Sequence, residues 1–216
     1  MNARTRHEAL ALRLRRAVVE LLVIFVGVTA AFFVEGYRSD LDQAEQLRQV
    51  TDGLLTELRR HEIRSREHAD SIESRLRAWR LADATGERAV PAYYIIPGAP
   101  YPPTAAWDAA VASGVVSLYD PELRLELGYY FGEFVGIHDN YVRRLEFIES
   151  EILPRARSGP DAFYDSTGTL RAEFATEMEL LEDYRLDLAQ VSEWSGRLYE
   201  RLSATAADGK GNGAGS

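Results

Sequence analysis

The stretch Ala17 to Val34, AVVELLVIFVGVTAAFFV, is apolar except for Glu20, and it limits what the chain can become more than any other stretch does. Its 18 residues make a helix of about 27 Å at about 1.5 Å per residue, close to the lower limit for crossing a hydrocarbon core of about 30 Å. Arg13, Arg15 and Arg16 precede it, and Phe32, Phe33 and Tyr37 close it. These supply snorkelling cations at one interface and aromatic rings at the other. We therefore expect a transmembrane anchor over 17–34, with the lipid bilayer as the first partner. Glu20 stands one turn inside, where a carboxylate is costly. Arg16, four residues earlier, can pair with it at the interface; the alternative is a contact with a partner subunit inside the bilayer. A cleaved signal peptide would also open with a basic segment and an apolar run, and Val28-Thr29-Ala30 would serve as its cleavage site. A glutamate inside that run argues for a retained signal anchor.

Charge sets the orientation. Residues 1–16 hold five arginines and one glutamate, which places the N-terminus in the cytoplasm of a bacterial inner membrane and the rest in the periplasm. Of the chain's 25 basic and 34 acidic side chains, 20 and 32 lie from Glu35 onward, a net charge of −12 there. Such a domain is not built to hold nucleic acid or an anionic lipid surface. A chain of 216 residues has room for a basic N-terminus (1–16), the anchor (17–34), one extramembrane domain (35–203) and a glycine-rich tail (204–216) with no reason to fold. The absence of cysteine removes disulfides, thiol catalysis and cysteine-ligated metals.

Helical periodicity accounts for most of the extramembrane part. From Gly36 to about Ala84 apolar residues recur at steps of three and four: Leu41, Ala44, Leu47, Val50, Leu54 and Leu58, then Ala69, Ile72, Leu76 and Trp79, with Gly86 as the stop. Thr104 is expected to cap a short helix ended by Ser113-Gly114. Asp120-Pro121-Glu122 opens a second long helix, with Leu127, Tyr130, Phe134, Ile137, Tyr141, Leu145, Ile148 and Ile152 on one face and Pro154 as its end. A third runs from about Thr169 to Ala204 with Leu170, Phe174, Met178, Leu181, Leu188, Val191, Leu198 and Leu202. None of these faces can be buried alone. The expected fold is all-α: an N-terminal transmembrane helix continuing into an antiparallel three-helix bundle with a short extra helix. In that arrangement the second helix returns toward the membrane and leaves the loop bearing Arg155, Arg157, Phe163 and Tyr164 near the bilayer.

Constellations that carry chemistry are sparse. His61 and His68 stand seven apart in HEIRSREH, but a zincin spacing would need a histidine at Ser65. A di-iron bundle wants an acid three residues before each histidine, where Leu58, Ser65 and Val135 stand. These histidines, and the acids from Glu173 to Glu182, read as solvated helix faces. Aromatic residues at helical spacing, Tyr129 to Phe134, read as core rather than a pigment or quinone site. No catalytic residue, metal ligand or cofactor is assigned.

Two patterns suggest partners instead. The loop 87–103 is rich in proline yet carries Tyr93, Tyr94, Ile95, Ile96 and Tyr101. It either docks another protein or folds back over the end of the bundle. Gly128, Gly132 and Gly136 recur every four residues within a helix, where each costs about 1 kcal/mol against alanine. Close approach of another helix offsets that cost, either inside the bundle or through a partner helix or self-association into a homo-oligomer.

With Glu20 opening the anchor, Gly27 within it, Trp107 leading to Ser113-Gly114, and Tyr129-Tyr130 beyond, the chain resembles a loose family of bacterial single-pass inner-membrane proteins with a helical extramembrane domain. That family has no established activity, so the resemblance implies architecture and location only. The expected function is that of a non-enzymatic, membrane-anchored accessory subunit. It would brace or assemble a larger membrane complex, such as a respiratory or photosynthetic one, with the other subunits as partners through Tyr93–Ile96, Tyr101, the three glycines and Glu20. The alternative is a periplasmic sensor or envelope adaptor, against which residues 1–16 are too short for a cytoplasmic output domain.

Overall fold

The computed structural model describes residues 3–96 and 104–212, with side chains described for Phe25, 43–96 and 104–207. The chain divides into two units, Met1–Arg48 and Gln49–Ser216. In the first, Arg48 pairs with Glu45 one turn earlier at 2.7 Å. The anchor expected over 17–34, with Glu20, lies outside the residues whose side chains are described, apart from Phe25. Among the described residues no helix is long and apolar enough to cross a membrane.

The second unit takes its first helix from the latter part of α1 (Ala3–Ala84). Then come α2 (Ala105–Ala112), a 3₁₀ turn (Val115–Leu118), α3 (Pro121–Phe147), a π turn (Ile148–Ile152), α4 (Leu153–Ala156), a second 3₁₀ turn (Pro160–Phe163) and α5 (Ala172–Asn212). The fold is all-α. The described residues contain one isolated antiparallel bridge, Tyr164 with Leu170.

The sequence signals explain the helix ends. Gly86, at φ 73°, takes the left-handed conformation that stops α1, and the Glu87 N–H closes the turn on the Ala82 carbonyl at 2.9 Å. Gly114, at φ 75°, does the same after α2. Asp120 accepts the N–H groups of Glu122 and Leu123 at 3.0 and 3.1 Å, and these bonds hold its carboxyl below the usual range. Thr104, by contrast, makes no capping bond to the backbone. Its hydroxyl donates to Asp108, and the α2 N–H groups turn to Glu57 of α1 instead.

Three faces close one core. On α1 it runs through Thr51, Leu54, Leu58, His61, Ser65, Ala69, Ile72 and Leu76, on α3 through Leu123, Leu127, Tyr130, Ile137 and Tyr141, and on α5 through Phe174, Leu181, Leu188, Val191, Leu198 and Leu202. Their directions differ from the expected antiparallel bundle. Thr51 meets Tyr119, at the entrance to α3, at 2.8 Å, and His61 meets Tyr130 further along both helices at 2.8 Å. This part of α1 and α3 therefore run parallel. α5 opposes both: Arg201 reaches Glu126 while Tyr184 stacks on Tyr141, and Ser192 donates to the Glu62 carbonyl while Arg185 pairs with Glu73.

Parallel neighbours require a long return, and residues 85–120 supply it. The Tyr164 hydroxyl donates to the Ala89 carbonyl at 3.0 Å. Further along, Tyr94 reaches His68 at 2.8 Å, the Ile96 N–H donates to Tyr141 at 2.7 Å, and Glu57 takes Ala106 and Trp107. The segment thus travels back along α1 and α3. The loop with Arg155, Arg157, Phe163 and Tyr164 consequently stands at the end where α1 stops, with Arg88 on Asp161 at 2.8 Å, rather than at the opposite end of the bundle.

Three boundaries move for local reasons. Pro154 does not end the second helix, because the wider π turn before it accommodates the missing N–H and the ring, and helix resumes as α4. α5 begins at Ala172 rather than Thr169, because Asp165 gathers the N–H groups of Thr167 and Thr169 at 2.8 and 3.0 Å and draws 165–170 into a turn. At its other end α5 continues to Asn212, beyond the expected Ala204.

The chain has no native thiol, so direction can be tested cleanly. Cysteines at positions 88 and 161 should join efficiently with a short bis-maleimide, read by gel mobility and peptide mass. A pair at 57 and 161 should not, and the reverse result would restore the antiparallel order.

Candidate functional site

Polar groups inside the bundle are costly to bury without a purpose. His61 is 2 % exposed, not on a solvated face as its acidic surroundings in sequence suggested. It occupies the core step between Leu58 and Ser65, bonds to Tyr130, and stacks on Phe134 at 4.1 Å between ring centroids. Tyr130 is fully buried and meets Trp194 of α5 edge-on at 5.4 Å between ring centroids. Burial raises its phenol pKa far above the ordinary value. Ser195 donates to the Val191 carbonyl at 2.8 Å. The network fastens α1, α3 and α5 to one another.

Glu57 extends this network to the return segment. Its Oε2 accepts the N–H groups of Ala106 and Trp107 at 3.2 and 3.3 Å, which puts a carboxylate where the first turn of α2 has unpaired donors. Burial raises its pKa, partly opposed by those bonds. Trp107 then stacks on Phe131 at 5.1 Å. His68 is half-buried, its pKa lowered by burial; it too is more than a solvated residue, because it holds Tyr94.

A second polar pair lies toward the other end. Arg144 and Glu177 form an ion pair with side chains 9 % and 5 % exposed, and Arg144 also stands 5.7 Å over the Tyr184 ring. The expectation that Glu173 to Glu182 is wholly solvated fails at Glu177. Burial raises its pKa against the pull of Arg144. Among the described residues, no group of three or more His, Asp or Glu is placed to hold a metal ion.

The residues expected to meet partners fall into two sets. Tyr93 packs on a core cluster of Ile148, Ile152, Phe163, Tyr164 and Phe174. Tyr94 holds His68 and lies beneath Arg75, Ile96 is tied through its backbone to Tyr141, and Ile95 is 36 % exposed. This segment folds back, as one of its two expected roles required, although along the helices rather than over their end. Tyr101 lies outside the described residues. The glycines behave differently. A Cβ on Gly128 would touch the Trp107 ring at 3.8 Å, an ordinary contact, while one on Gly132 or Gly136 would meet nothing within 4 Å. Both of the latter are exposed, so packing inside the bundle does not account for them.

They share an open face with Leu125 and Tyr129, which are 60 % and 66 % exposed. The spacing 125, 129, 132, 136 is that of one helical stripe. Beside it, α3 and α5 form a groove of about 540 Å³ reaching from Glu122 past Glu133 to Asp187 and Trp194. Sequence reasoning flagged the glycines but missed Leu125 and the acids of the groove. Their juxtaposition requires the α3/α5 pairing. No family profile, curated protein or solved structure matches the chain.

Two outcomes check the buried polar groups. Arg144→Met should cost about 3 kcal/mol or more in urea denaturation by stranding a buried carboxylate, and adding Glu177→Leu should recover most of it. For Glu57, a raised folded pKa means the native state holds more protons than the unfolded one once pH passes the ordinary value of 4.5. That contribution to stability is full below 4.5 and is lost as pH rises through the raised value. Wild-type stability measured relative to Glu57→Gln should therefore fall with rising pH in that window, whereas a flat difference would place the carboxylate in water.

Proposed function

We propose that this chain is a non-enzymatic, membrane-anchored accessory subunit that braces or assembles a larger membrane protein complex through its helical domain. The observation that carries the proposal is the open α3/α5 face. Exposed Leu125 and Tyr129 stand beside Gly132 and Gly136, whose smallness no contact among the described residues requires. Two glycines in a helix interior forgo about 2 kcal/mol, a cost that close approach of an outside helix offsets. The buried histidine, tyrosine, serine and carboxylates each have a partner inside the domain, whereas the grooves face outward.

The location belongs to the same proposal. The apolar run 17–34 serves as the anchor, the arginine-rich 1–16 segment stays in the cytoplasm, and the acidic domain occupies the periplasm of a bacterial cell. The resemblance to single-pass inner-membrane proteins supports that placement.

Gentle detergent extraction from native membranes, size separation and mass spectrometry test the proposal. Wild type should migrate in stoichiometric proportion with a larger complex, and Gly132→Leu should migrate alone although its isolated domain is as stable as wild type or more so, since leucine is the better helix former. A wild-type chain that migrates alone would overturn it.

A further inference from the structure

Around the three long helices, the groove between α1 and α3 is roofed by the chain itself. The return segment lies there through Tyr94, Trp107 and Tyr119, each in contact with α1 or α3. No described segment roofs the groove between α3 and α5. It consists of two depressions, of about 540 and 620 Å³, that meet at Asp187, which lines both. Together they follow α3 from Glu122 to Phe147, a length of roughly 38 Å, which suits a helix of roughly 25 residues.

The chemistry of the groove selects its occupant. Leu125, Tyr129 and Leu180 are exposed apolar side chains at 60 %, 66 % and 47 %. Glu133 on α3 and Asp187 on α5 line the first depression, Asp183 and Asp187 the second, and repulsion from Asp183 and Glu133 adds to burial in raising the Asp187 pKa. Of the nearby cations, Arg144 pairs with Glu177 and Arg201 with Asp120, Glu122 and Glu126, while Arg143 donates to the neutral Asn140 amide. No ion pair engages Glu133, Asp183 or Asp187 among the described residues. An apolar floor bearing three carboxylates that no described ion pair engages matches a helix with one apolar stripe flanked by lysine or arginine. The exposed glycines beside it let such a helix approach closely.

We propose that the α3/α5 groove receives a cationic amphipathic helix of a partner protein, its apolar stripe covering Leu125, Tyr129 and Leu180 and its basic side chains meeting Glu133, Asp183 and Asp187. This rests on the accessory-subunit reading and names the kind of partner. It makes the domain a three-helix frame completed by a fourth helix from outside.

The probe is a synthetic helix of about 24 residues with leucine at steps of three and four and lysine flanking them; a control carries glutamate for lysine. Both are titrated against the full chain in zwitterionic detergent, with empty micelles as blank. The lysine peptide should bind wild type, and should bind roughly tenfold or more weakly to Glu133→Gln/Asp183→Asn/Asp187→Asn and to Gly132→Leu, with affinity falling as salt rises. The glutamate peptide should not bind. Equal affinity of the lysine peptide for wild type and both variants overturns the proposal, as does equal binding of the two peptides. A concentration-dependent dimer abolished by Gly132→Leu also overturns it, by making the occupant a second copy. The two readings fail separately. If wild type co-purifies with a complex that Gly132→Leu leaves and the triple acid variant does not, the subunit reading stands and the cationic helix falls; if wild type migrates alone, the subunit reading falls whatever the peptide does.

Discussion

Two parallel helices joined in sequence can lie side by side only if the chain travels back the full length of the first before starting the second. The segment between Thr85 and Asp120 does this without regular structure over its first part, so its backbone has no ladder to satisfy it. Its attachments come from side chains of α1, α3 and the loop before α5: Tyr164 at Ala89, His68 at Tyr94, Tyr141 at Ile96, Glu57 at Ala106 and Trp107, Thr51 at Tyr119. These are hydroxyls, an imidazole and a carboxylate placed along the route. The direction of α3, and with it the partner that α5 finds, depends on this row of attachments.

That dependence explains a core unusual in its polarity. Thr51, Glu57, His61, Ser65, Ser192 and Ser195 are all buried, and a bundle of the same shape could place apolar side chains at such positions. Apolar contacts are non-directional and would hold the return segment in several registers. A carboxylate of Glu57 that accepts two adjacent N–H groups fixes a single register, and so does the hydrogen bond between His61 and Tyr130. The energy of each such bond is small, about 1 kcal/mol. Leaving one unmade inside the bundle costs more, and that asymmetry discriminates against shifted packings.

The all-α class, the three helical stripes and the Asp120 cap followed from periodicity and cap chemistry, which are local. The order of the helices did not, because a connection with five prolines reads equally well as a terminal loop or as a return, and only the residues it meets decide. The stripe of α1 also breaks in sequence after Leu58 and resumes at Ala69. His61 and Ser65 fill that gap at core spacing, which the acids and arginines around them obscured. At the candidate face, the glycines stood out by their helical cost, but Leu125 resembled any exposed leucine. Asp183 and Asp187 lie just beyond the acidic run read as solvated, and only the pairing of α5 with α3 puts them on a shared groove.

The glycine pattern now separates into two parts with different physical causes. Gly128 sits under the Trp107 ring, so its neighbourhood belongs to the attachment of the return segment and would exist in an isolated domain. Gly132 and Gly136 lie on the exposed side of α3, beyond reach of any described side chain. Alanine there would stabilise the helix by about 1 kcal/mol at each position without meeting an obstacle. A domain shaped for stability alone would have no reason to keep that deficit beside an exposed leucine and tyrosine. One shaped to admit a second helix would, because a side chain on α3 at either position would hold the incoming backbone away from the carboxylates that attract it.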